Sequence, residues 1–293
     1  MAELWKGAPV AAALNEETAR LAAALTERGV TPTLALLRVG AREDDIAYER
    51  SAEKRCAALG IAVRRVTLPE DVSQTALEET AAALNADAAV HGVLLFRPLP
   101  KRLDEAAVCR LLVPEKDVDG ITPGSLAAVF SRTGPGFPPC TAQACVELLK
   151  FYGAPISGAR ATVVGRSLVV GRPLAMLLLA DNATVTICHT RTRDLPAETR
   201  QAEILLVATG HTGTLGAEHV SPGQIVVDVG TNWDEEAGRL RGDTDFEAVE
   251  PIVRAITPVP GGVGAVTTAL LARHTAQAAA KAAGLADILE KGR

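Results

Sequence analysis

The stretch Ala161-Thr-Val-Val-Gly-Arg-Ser-Leu-Val-Val-Gly-Arg-Pro-Leu-Ala-Met-Leu-Leu-Leu179 decides the fold class of this chain of 293 residues. Residues 162–164 are β-branched and run directly into Gly165, which predicts a buried strand ending in a tight turn. Pro173 suits the first turn of a helix, and the apolar run 174–179 fits a helix packed on a sheet. The stretch therefore predicts a strand–turn–helix unit.

The same order of elements favours an anion site, because unpaired N–H groups and the positive end of the helix dipole converge at the turn. A dinucleotide pyrophosphate is the usual ligand of such a site. Ser167 stands where the dinucleotide-binding pattern G-x-G-x-x-G has its second glycine, so the stretch departs from that pattern. On these residues alone, a dinucleotide site and a unit without any ligand remain open alternatives.

Apolar segments on both sides of this stretch predict a regular alternation of strands and helices. Strands are expected at 33–39, 61–67, 90–96, 161–165, 184–188, 204–208, 224–229 and 256–259. Helices are expected at 9–28, 46–59, 74–85, 142–151 and 267–283. Strands separated by helical segments indicate βαβ units, so the predicted fold class is α/β with parallel sheets.

Composition narrows the classes of function. A formal net charge of −5 and few aromatic residues argue against nucleic acid as the main partner. The apolar runs are shorter than a membrane span, and acidic residues flank the apolar segment near the N-terminus, unlike a signal peptide. Five scattered cysteines without a C-x-x-C pair indicate free thiols and a cytoplasmic protein, and the histidines show no spacing for a metal site.

Five blocks of sequence together resemble the methylenetetrahydrofolate dehydrogenase/methenyltetrahydrofolate cyclohydrolase family. They are Pro114–Gly120, Val164–Pro173, Val227–Gly230 with Asn232, Gly242-Asp243 and Thr257–Gly264, in the order of the family. The resemblance implies two domains flanking a cleft, the second a Rossmann-type domain for NADP, and a homodimer formed through the Rossmann domains. The first domain would comprise 1–140 with the C-terminal helical segment 267–293, and the second 141–266.

The implied chemistry has two steps on a tetrahydrofolate substrate. A hydride leaves the one-carbon bridge of methylenetetrahydrofolate for the nicotinamide, and water then opens the methenyl product to 10-formyltetrahydrofolate. Tyr48 matches the family tyrosine that stacks on the folate, and Asp119 matches the aspartate that accepts paired N–H bonds from the pterin. Without the resemblance, Tyr48 would be a packing residue and Asp119 a turn former before glycine. Further substrate contacts are implied for Pro98, Gly261 and Gly262.

Cofactor contacts are implied at the edge of the second domain. The residues are Gly165, Arg166, Ser167, Gly171, Pro173, His189, Thr190 and Thr231. Arg166 and Thr190 stand where the family reads the adenosine 2′-phosphate, which a planar guanidinium can bind through two parallel bonds. We therefore expect NADP rather than NAD; the alternative for Arg166 is a solvated arginine in a surface turn.

Two positions of the implied catalytic machinery depart from the family. The catalytic lysine, four residues after the tyrosine, is Ala52, and its supporting glutamine is Phe96. Lys54 lies about 160° around the helix from position 52 and cannot replace the lysine. Hydride transfer needs mainly position and orientation, whereas ring opening by water needs a proton-transferring group. We therefore expect a dehydrogenase and question the cyclohydrolase.

Three further hypotheses stay open at this point. The protein could be a reductive or altered-substrate relative with the same cofactor site, or a catalytically silent folate- or nucleotide-binding protein that acts as a sensor or partner. Asp119 and Arg166 argue against a silent protein, whereas Ala52 and Phe96 keep it possible. Alternatively, Asp45 or Glu49 beside the tyrosine could have taken over proton transfer.

Overall fold

The computed structural model describes residues 1–235 and 238–290, which divide into two compact units. The six-stranded unit comprises residues 1–12 and 141–267, and the three-stranded unit comprises residues 13–140 and the chain from Thr268 onward. Residues 1–12 differ from the predicted first domain, because strand β1 (Glu3–Leu4) pairs in parallel with β11 (Ala255–Ile256) of the six-stranded unit. Within the described ranges, no helix has both the length and the apolar character needed to cross a membrane.

The six-stranded unit is a parallel sheet in the order β1-β11-β8-β7-β5-β6. Its remaining strands are β5 (Arg160–Val164), β6 (Thr184–Cys188), β7 (Ile204–Val207) and β8 (Ile225–Asp228). An antiparallel pair, β9 (Asn232–Asp234) and β10 (Arg239–Arg241), lies outside this sheet. Its helices are α6 (Cys140–Phe151), α7 (Gly171–Ala180), α8 (Leu195–Arg200) and α9 (Phe246–Val249). Both β7 and β8 are buried along their whole length, as expected for parallel strands covered on two faces.

The winding of this sheet reverses between two neighbouring strands. The chain passes from β5 to β6 at the edge and then returns to β7 on the other side of β5. In open α/β sheets, ligands bind outside the carboxyl ends of the strands at such a reversal. The turn that begins at Gly165 therefore lies at the position where a ligand is expected.

The three-stranded unit has the parallel order β3-β2-β4. Its strands are β2 (Thr33–Val39), β3 (Ala62–Leu68) and β4 (Gly92–Leu95). Its helices are α2 (Glu43–Ala58), α3 (Gln74–Ala86), α4 (Glu105–Leu111), α5 (Pro123–Ser131) and α11 (Asp287–Glu290). Two further helices, α1 (Gly7–Thr26) and α10 (Val263–Ala282), each contain a point at which the chain passes from one unit to the other. Leu77, Ala81 and Leu84 recur at helical spacing on α3 and pack into the core around β2. The two sheets confirm the predicted α/β class with parallel strands.

Several element boundaries differ from those predicted. Helix α2 begins three residues early, at Glu43, because its acidic first turn is favourable at the positive end of a helix. Helix α10 begins at Val263 instead of 267, so Gly264 lies in its first turn and not in a loop. The short helices α4 and α5 were not predicted, although the side chains of Asp104 and Thr122 cap them as their residue types favour.

Candidate functional site

Helix α2 presents one buried face, formed by Asp45, Glu49, Ala52 and Cys56 at a spacing of three or four residues. Tyr48 lies beside this face and is partly buried. Its ring meets Phe96 edge-on, with 6.0 Å between centroids and an interplanar angle of 82°. Burial, and then the charge of Asp119, raise the pKa of the Tyr48 phenol, which therefore stays neutral near pH 7.

The positions implied for the lysine and the glutamine are apolar and closed to solvent. Ala52 is 2% exposed and Phe96 is 7% exposed. Lys54, two residues further along α2, is exposed instead. The structure therefore provides no amine at the position expected for the catalytic lysine.

The two carboxylates beside the tyrosine differ in their surroundings. Glu49 Oε2 accepts a hydrogen bond from Arg38 Nε at 3.0 Å, and Glu49 Oε1 lies 3.8 Å from Arg65 Nε. Glu49 is therefore held in an ion pair away from solvent. Asp45 is buried, lies 3.8 Å from Arg42 Nε, and has a pKa raised by burial. Asp45 therefore remains the better candidate of the two for carrying a proton.

The loop that carries Asp119 is fixed by the side chains that precede it. Lys116 Nζ donates to the carbonyls of Leu84, Asn85 and Asp87 at the end of α3, at 3.0, 2.8 and 2.6 Å. The Asp117 carboxylate accepts the N–H groups of Ile121 at 2.9 Å and Thr122 at 2.7 Å. Asp117 thus fills the turn-forming role that was the alternative for Asp119.

Asp119 is partly buried among groups of different charge. Its Oδ2 lies 4.0 Å from Arg97 Nη2. Burial raises the pKa of the Asp119 carboxyl to about 6; the Arg97 charge opposes this shift and the Asp117 charge adds to it. The Cys140 thiol is buried, donates to the Val118 carbonyl at 3.2 Å, and has a pKa raised well above its usual value. Tyr48, Phe96, Arg97 and Asp119 are thus neighbours in the three-stranded unit.

Pro98 has a backbone role in this region. It follows a cis peptide bond after Arg97, and its carbonyl accepts a hydrogen bond from Arg42 Nη1 at 3.1 Å. A predicted substrate contact through Pro98 therefore depends on the shape of the turn and not on a polar side chain.

In the six-stranded unit, two glycines allow the predicted turn to close. Gly165 has φ +130°, and a Cβ there would lie 2.3 Å from the Ala208 carbonyl oxygen. A Cβ on Gly171 would lie 2.2 Å from the Gly165 carbonyl oxygen. Both glycines are therefore required because backbone segments of the protein approach each other closely.

The prediction of unpaired N–H groups at this helix start is wrong for three residues. Ser167 Oγ accepts the N–H groups of Val170 at 3.0 Å and Gly171 at 3.4 Å, and the Ser167 carbonyl accepts that of Arg172 at 3.0 Å. Ser167 lies four residues before the first residue of α7, and its side chain still reaches free donors at the start of the helix, as N-capping serines do. Pro173 is buried in that first turn and contributes no N–H group.

The other predicted cofactor residues lie at the carboxyl ends of the neighbouring strands. Val164 of β5 is in register with Cys188 of β6, so Arg166 and Thr190 follow adjacent strand ends, and both are exposed. His189 shapes the second turn, because its N–H donates to Thr192 Oγ1 at 2.9 Å and its Nδ1 accepts from Arg191 N–H at 3.1 Å. This edge offers a guanidinium and a hydroxyl to an anion.

A cavity of about 200 Å³ brings the predicted Thr231 together with the glycine loop, and it is lined by residues 228–231, Leu240 and 258–265. A Cβ on Gly262 would lie 2.6 Å from the Pro258 carbonyl, and a Cβ on Gly7 would lie 2.0 Å from the Gly262 carbonyl. Gly262 is therefore required by protein packing and not only by approach to a ligand. A Cβ on Gly264 would meet no atom of the described residues within 4 Å.

The carboxylates of Asp228 and Asp243, to which the sequence analysis gave no role, hold the loops at this edge of the sheet. Asp228 accepts the N–H groups of Gly230, Asp243 and Thr244 at 2.9, 3.0 and 2.9 Å. Asp243 in turn accepts the N–H groups of Thr209 at 2.6 Å and Gly210 at 2.9 Å. Together they fix the loops after β7 and β8. Their blocks, Val227–Gly230 and Gly242-Asp243, stand out in the sequence, but the contacts between them do not.

Comparison with known proteins gives the same assignment for both halves of the chain. The model of the tetrahydrofolate dehydrogenase/cyclohydrolase catalytic domain matches residues 5–119, and that of the NAD(P)-binding domain of this family matches residues 139–283. The chain belongs to the tetrahydrofolate dehydrogenase/cyclohydrolase family. The predicted family is therefore confirmed, and the six-stranded unit contains most of its NAD(P)-binding domain.

Individual relatives agree with this membership over nearly the whole chain. The bifunctional protein FolD of Carboxydothermus hydrogenoformans is 49% identical over 279 residues, which cover 95% of this chain and 97% of that protein. The crystal structure of bifunctional FolD from Campylobacter jejuni has a TM-score of 0.92 at 37% identity and covers 96% of this chain and 99% of that one. FolD of Trypanosoma brucei, solved with NADP cofactor and an inhibitor, has a TM-score of 0.90 at 36% identity and covers 96% and 98%.

Metal ligation finds no support within residues 1–235 and 238–290. These ranges contain no group of three or more histidine, cysteine, aspartate or glutamate side chains arranged to hold an ion.

Proposed function

We propose that this protein oxidises 5,10-methylenetetrahydrofolate to 5,10-methenyltetrahydrofolate with NADP, and that it hydrolyses the product slowly or not at all. The observation that carries the proposal is the Asp119 carboxylate, which is released from turn formation by Asp117 and lies near Tyr48. The pterin presents paired N–H donors, and a carboxylate is the group that accepts two parallel bonds.

Three residues of the three-stranded unit, Tyr48, Phe96 and Asp119, each have a physical role in this proposal. Tyr48 supports the folate ring through a neutral aromatic face, and Phe96 holds the tyrosine ring from its side. Asp119 fixes the pterin orientation, so the one-carbon bridge is held in one position. Positioning of this kind supports hydride removal without any proton-transferring side chain.

The cofactor site fits NADP through the six-stranded unit. Gly165 and Gly171 let the turn close because neither places a Cβ against the neighbouring backbone, and the exposed Arg166 and Thr190 suit a 2′-phosphate. Bound NADP supplies a hydride acceptor. Ser167 keeps the turn in shape by holding the start of α7.

Arg166→Ala is expected to weaken NADP binding about tenfold while NAD binding changes less than twofold, because a charge-assisted bond to the phosphate is lost. Isothermal titration with each cofactor measures both affinities. Arg160→Ala, an exposed arginine at the opposite end of β5, is the matched control and should bind both cofactors like the unmodified protein. Equal affinities for NADP and NAD before any substitution would contradict the proposed preference.

Asp119→Asn is expected to weaken tetrahydrofolate binding at least about fivefold, because an amide donor would face the pterin donors and leave a buried pair unmatched. NADP affinity should stay within a factor of two. Anaerobic titration calorimetry with tetrahydrofolate provides the measurement. A folate affinity that does not change would restrict Asp119 to a structural role.

The activity itself is tested by the absorbance of NADPH formed from NADP and 5,10-methylenetetrahydrofolate. Enzyme-dependent formation of NADPH supports the proposal. Tight folate and NADP binding without NADPH formation would favour the catalytically silent relative. A reductive relative would instead consume NADPH when 5,10-methylenetetrahydrofolate is supplied.

We also propose that the protein is a cytoplasmic homodimer whose folate-binding domain ends near residue 140. All five cysteines are buried free thiols, which suits a reducing compartment. The family resemblance implies pairing through the NAD(P)-binding domains. Light scattering after gel filtration should give the mass of two chains, and the mass of one chain would contradict the dimer.

A further inference from the structure

The guanidinium of Arg97 lies between two carboxylates in the three-stranded unit. Its Nη1 is 3.5 Å from Glu105 Oε1, and its Nη2 is 4.0 Å from Asp119 Oδ2. The Arg97 side chain is 22% exposed, so these interactions are only partly screened by water. Arg97 is thus the cation that acts on the carboxylate proposed to bind the pterin.

Glu105 is itself fixed by the turn that carries Arg97. Its Oε2 accepts the Leu99 N–H at 2.9 Å, and the residue lies in the first turn of α4, where a negative charge is favourable. One carboxylate oxygen therefore bonds the backbone while the other meets the guanidinium. This arrangement limits the freedom of a long side chain that would otherwise lose entropy on pairing.

We propose that Arg97 is a positioning residue for folate binding, and that its guanidinium, held by Glu105, keeps the Asp119 carboxylate in place as the anion that accepts the pterin N–H pair. The inference rests on the proposed role of Asp119. It assigns a function to a residue that is too basic to act as a proton acceptor.

The surroundings of Asp119 explain why it needs a cation. The titratable and charged groups that face it or its immediate partners are Arg97 and Glu105, Asp117 of its own loop, Tyr48 of α2, Cys109 of α4, Cys140 of α6 and His274 of α10. Burial and the Asp117 charge both disfavour the ionised form of Asp119. The Arg97 charge opposes them most, and hydrogen bonding with the Cys140 thiol opposes them less.

Few of these neighbours change charge near neutral pH. Burial raises the pKa of the Tyr48 phenol and of the Cys109 and Cys140 thiols, so all three stay neutral. The His274 ring is also neutral near pH 7, because burial lowers its pKa to about 4. Asp119, with a pKa raised to about 6, is therefore the group whose charge changes as the pH falls from 8 towards 5.

The sign of the pH dependence follows from the charge that binding requires. Folate binding needs the ionised carboxylate, so it is present above a pH of about 6 and is lost as the pH falls through this value. Removal of the Arg97 charge raises the pKa of Asp119 further and moves the loss to higher pH. An upward move of about one pH unit weakens binding about fivefold at pH 6 and less than twofold at pH 8.

The test is anaerobic titration calorimetry with tetrahydrofolate between about pH 5 and pH 8 on the full chain. Arg97→Leu and Arg97→Gln should both show the upward shift, and Arg97→Lys should restore most of the unmodified profile. Two neutral variants are used because one could fail to fold, which circular dichroism would reveal. Arg110→Leu, which removes an exposed arginine of α4 paired with Asp104, is the matched control and should leave the profile unchanged.

The outcomes separate this inference from the proposed function. If Arg97→Leu and Arg97→Gln keep the unmodified profile, or weaken binding equally at every pH, the positioning role of Arg97 is overturned. In that case, weak folate binding by Asp119→Asn would still support the proposed function. Unchanged folate binding by Asp119→Asn would instead overturn the folate role of Asp119, and with it the role given to Arg97.

Discussion

5,10-Methenyltetrahydrofolate is expected to open in the presence of this protein at, or close to, its uncatalysed rate. General acid–base catalysis by a positioned side chain typically contributes about 10²–10⁴-fold, and this contribution should be absent. The positions implied for the lysine and its glutamine partner are Ala52 and Phe96, which are 2% and 7% exposed. Neither side chain can accept or donate a proton.

The neighbouring ionisable groups do not replace the missing pair. Lys54 is exposed, away from the buried face of α2. Glu49 is paired with Arg38, and the Arg97 guanidinium, which has no acceptor atom, lies between Glu105 and Asp119. Asp45 shares the buried face with Ala52 but lies seven residues, or about two helical turns, away from it. Asp45 therefore does not occupy the position of the lysine itself.

The decisive measurement follows the loss of methenyl absorbance with and without the protein, in a buffer that does not itself catalyse opening. The double variant Ala52→Lys with Phe96→Gln should raise the hydrolysis rate about 10²–10⁴-fold. Ala52→Lys alone should not, because it buries a long cationic side chain without the glutamine that would support it. Ala57→Lys with Phe96→Gln, which places the amine on an exposed position of α2, is the matched control.

Clear acceleration by the unmodified protein would show that another group transfers the proton. Asp45→Asn then distinguishes the remaining candidate, because it removes the buried carboxyl group while keeping its size. Loss of the acceleration in Asp45→Asn would assign the step to Asp45. Full activity in Asp45→Asn would exclude it.

Regular elements were predicted well because they depend on local pattern. Strands β2 and β6 have the predicted bounds, since runs of β-branched and aliphatic residues between glycine and polar turns define them locally. The start of α10 was missed because Val263 and Gly264 have weak helical preference, and the helix there depends on its surroundings. Local preference decides an element only where tertiary contacts do not override it.

The site was predictable in residue type but not in arrangement. Asp119 is the turn former that the sequence suggests, because glycine follows it, and only the hydrogen bonds from Ile121 and Thr122 show that Asp117 takes this role. In the same way, the need for glycine at 7 arises from the carbonyl of Gly262, more than two hundred residues away. Long-range contacts of this kind have no local pattern that a single sequence could reveal.

Gly165→Ala is expected to lower the free energy of unfolding of the six-stranded unit by about 3 kcal/mol and to abolish measurable NADP binding. Two costs add here. An alanine at positive φ loses about 1–2 kcal/mol, and forcing a methyl group into an occupied space costs about 1–3 kcal/mol. The new Cβ would lie 2.3 Å from the Ala208 carbonyl oxygen.

The surrounding backbone has little room to relax. The Ala208 N–H donates to the Val164 carbonyl at 2.8 Å, and the Gly165 N–H donates to the Cys188 carbonyl at 2.9 Å. Any shift that relieves the clash therefore strains the pairing of β5 with both of its neighbours. The same shift would displace Arg166 and the turn that precedes α7, so cofactor binding should fail together with stability.

Gly158→Ala isolates the contribution of the close approach. Gly158 precedes β5 in the same unit and also has positive φ, at +80°, but a Cβ there would meet no atom of the described residues within 4 Å. It should therefore lose only the backbone term of about 1–2 kcal/mol and keep NADP affinity. The chain's two tryptophans, Trp5 and Trp233, both belong to the six-stranded unit, so their fluorescence during denaturant unfolding reports on this unit. Equal destabilisation in Gly158→Ala and Gly165→Ala, with NADP affinity intact in both, would mean that the turn tolerates a side chain and that its glycine is needed only for the backbone angle.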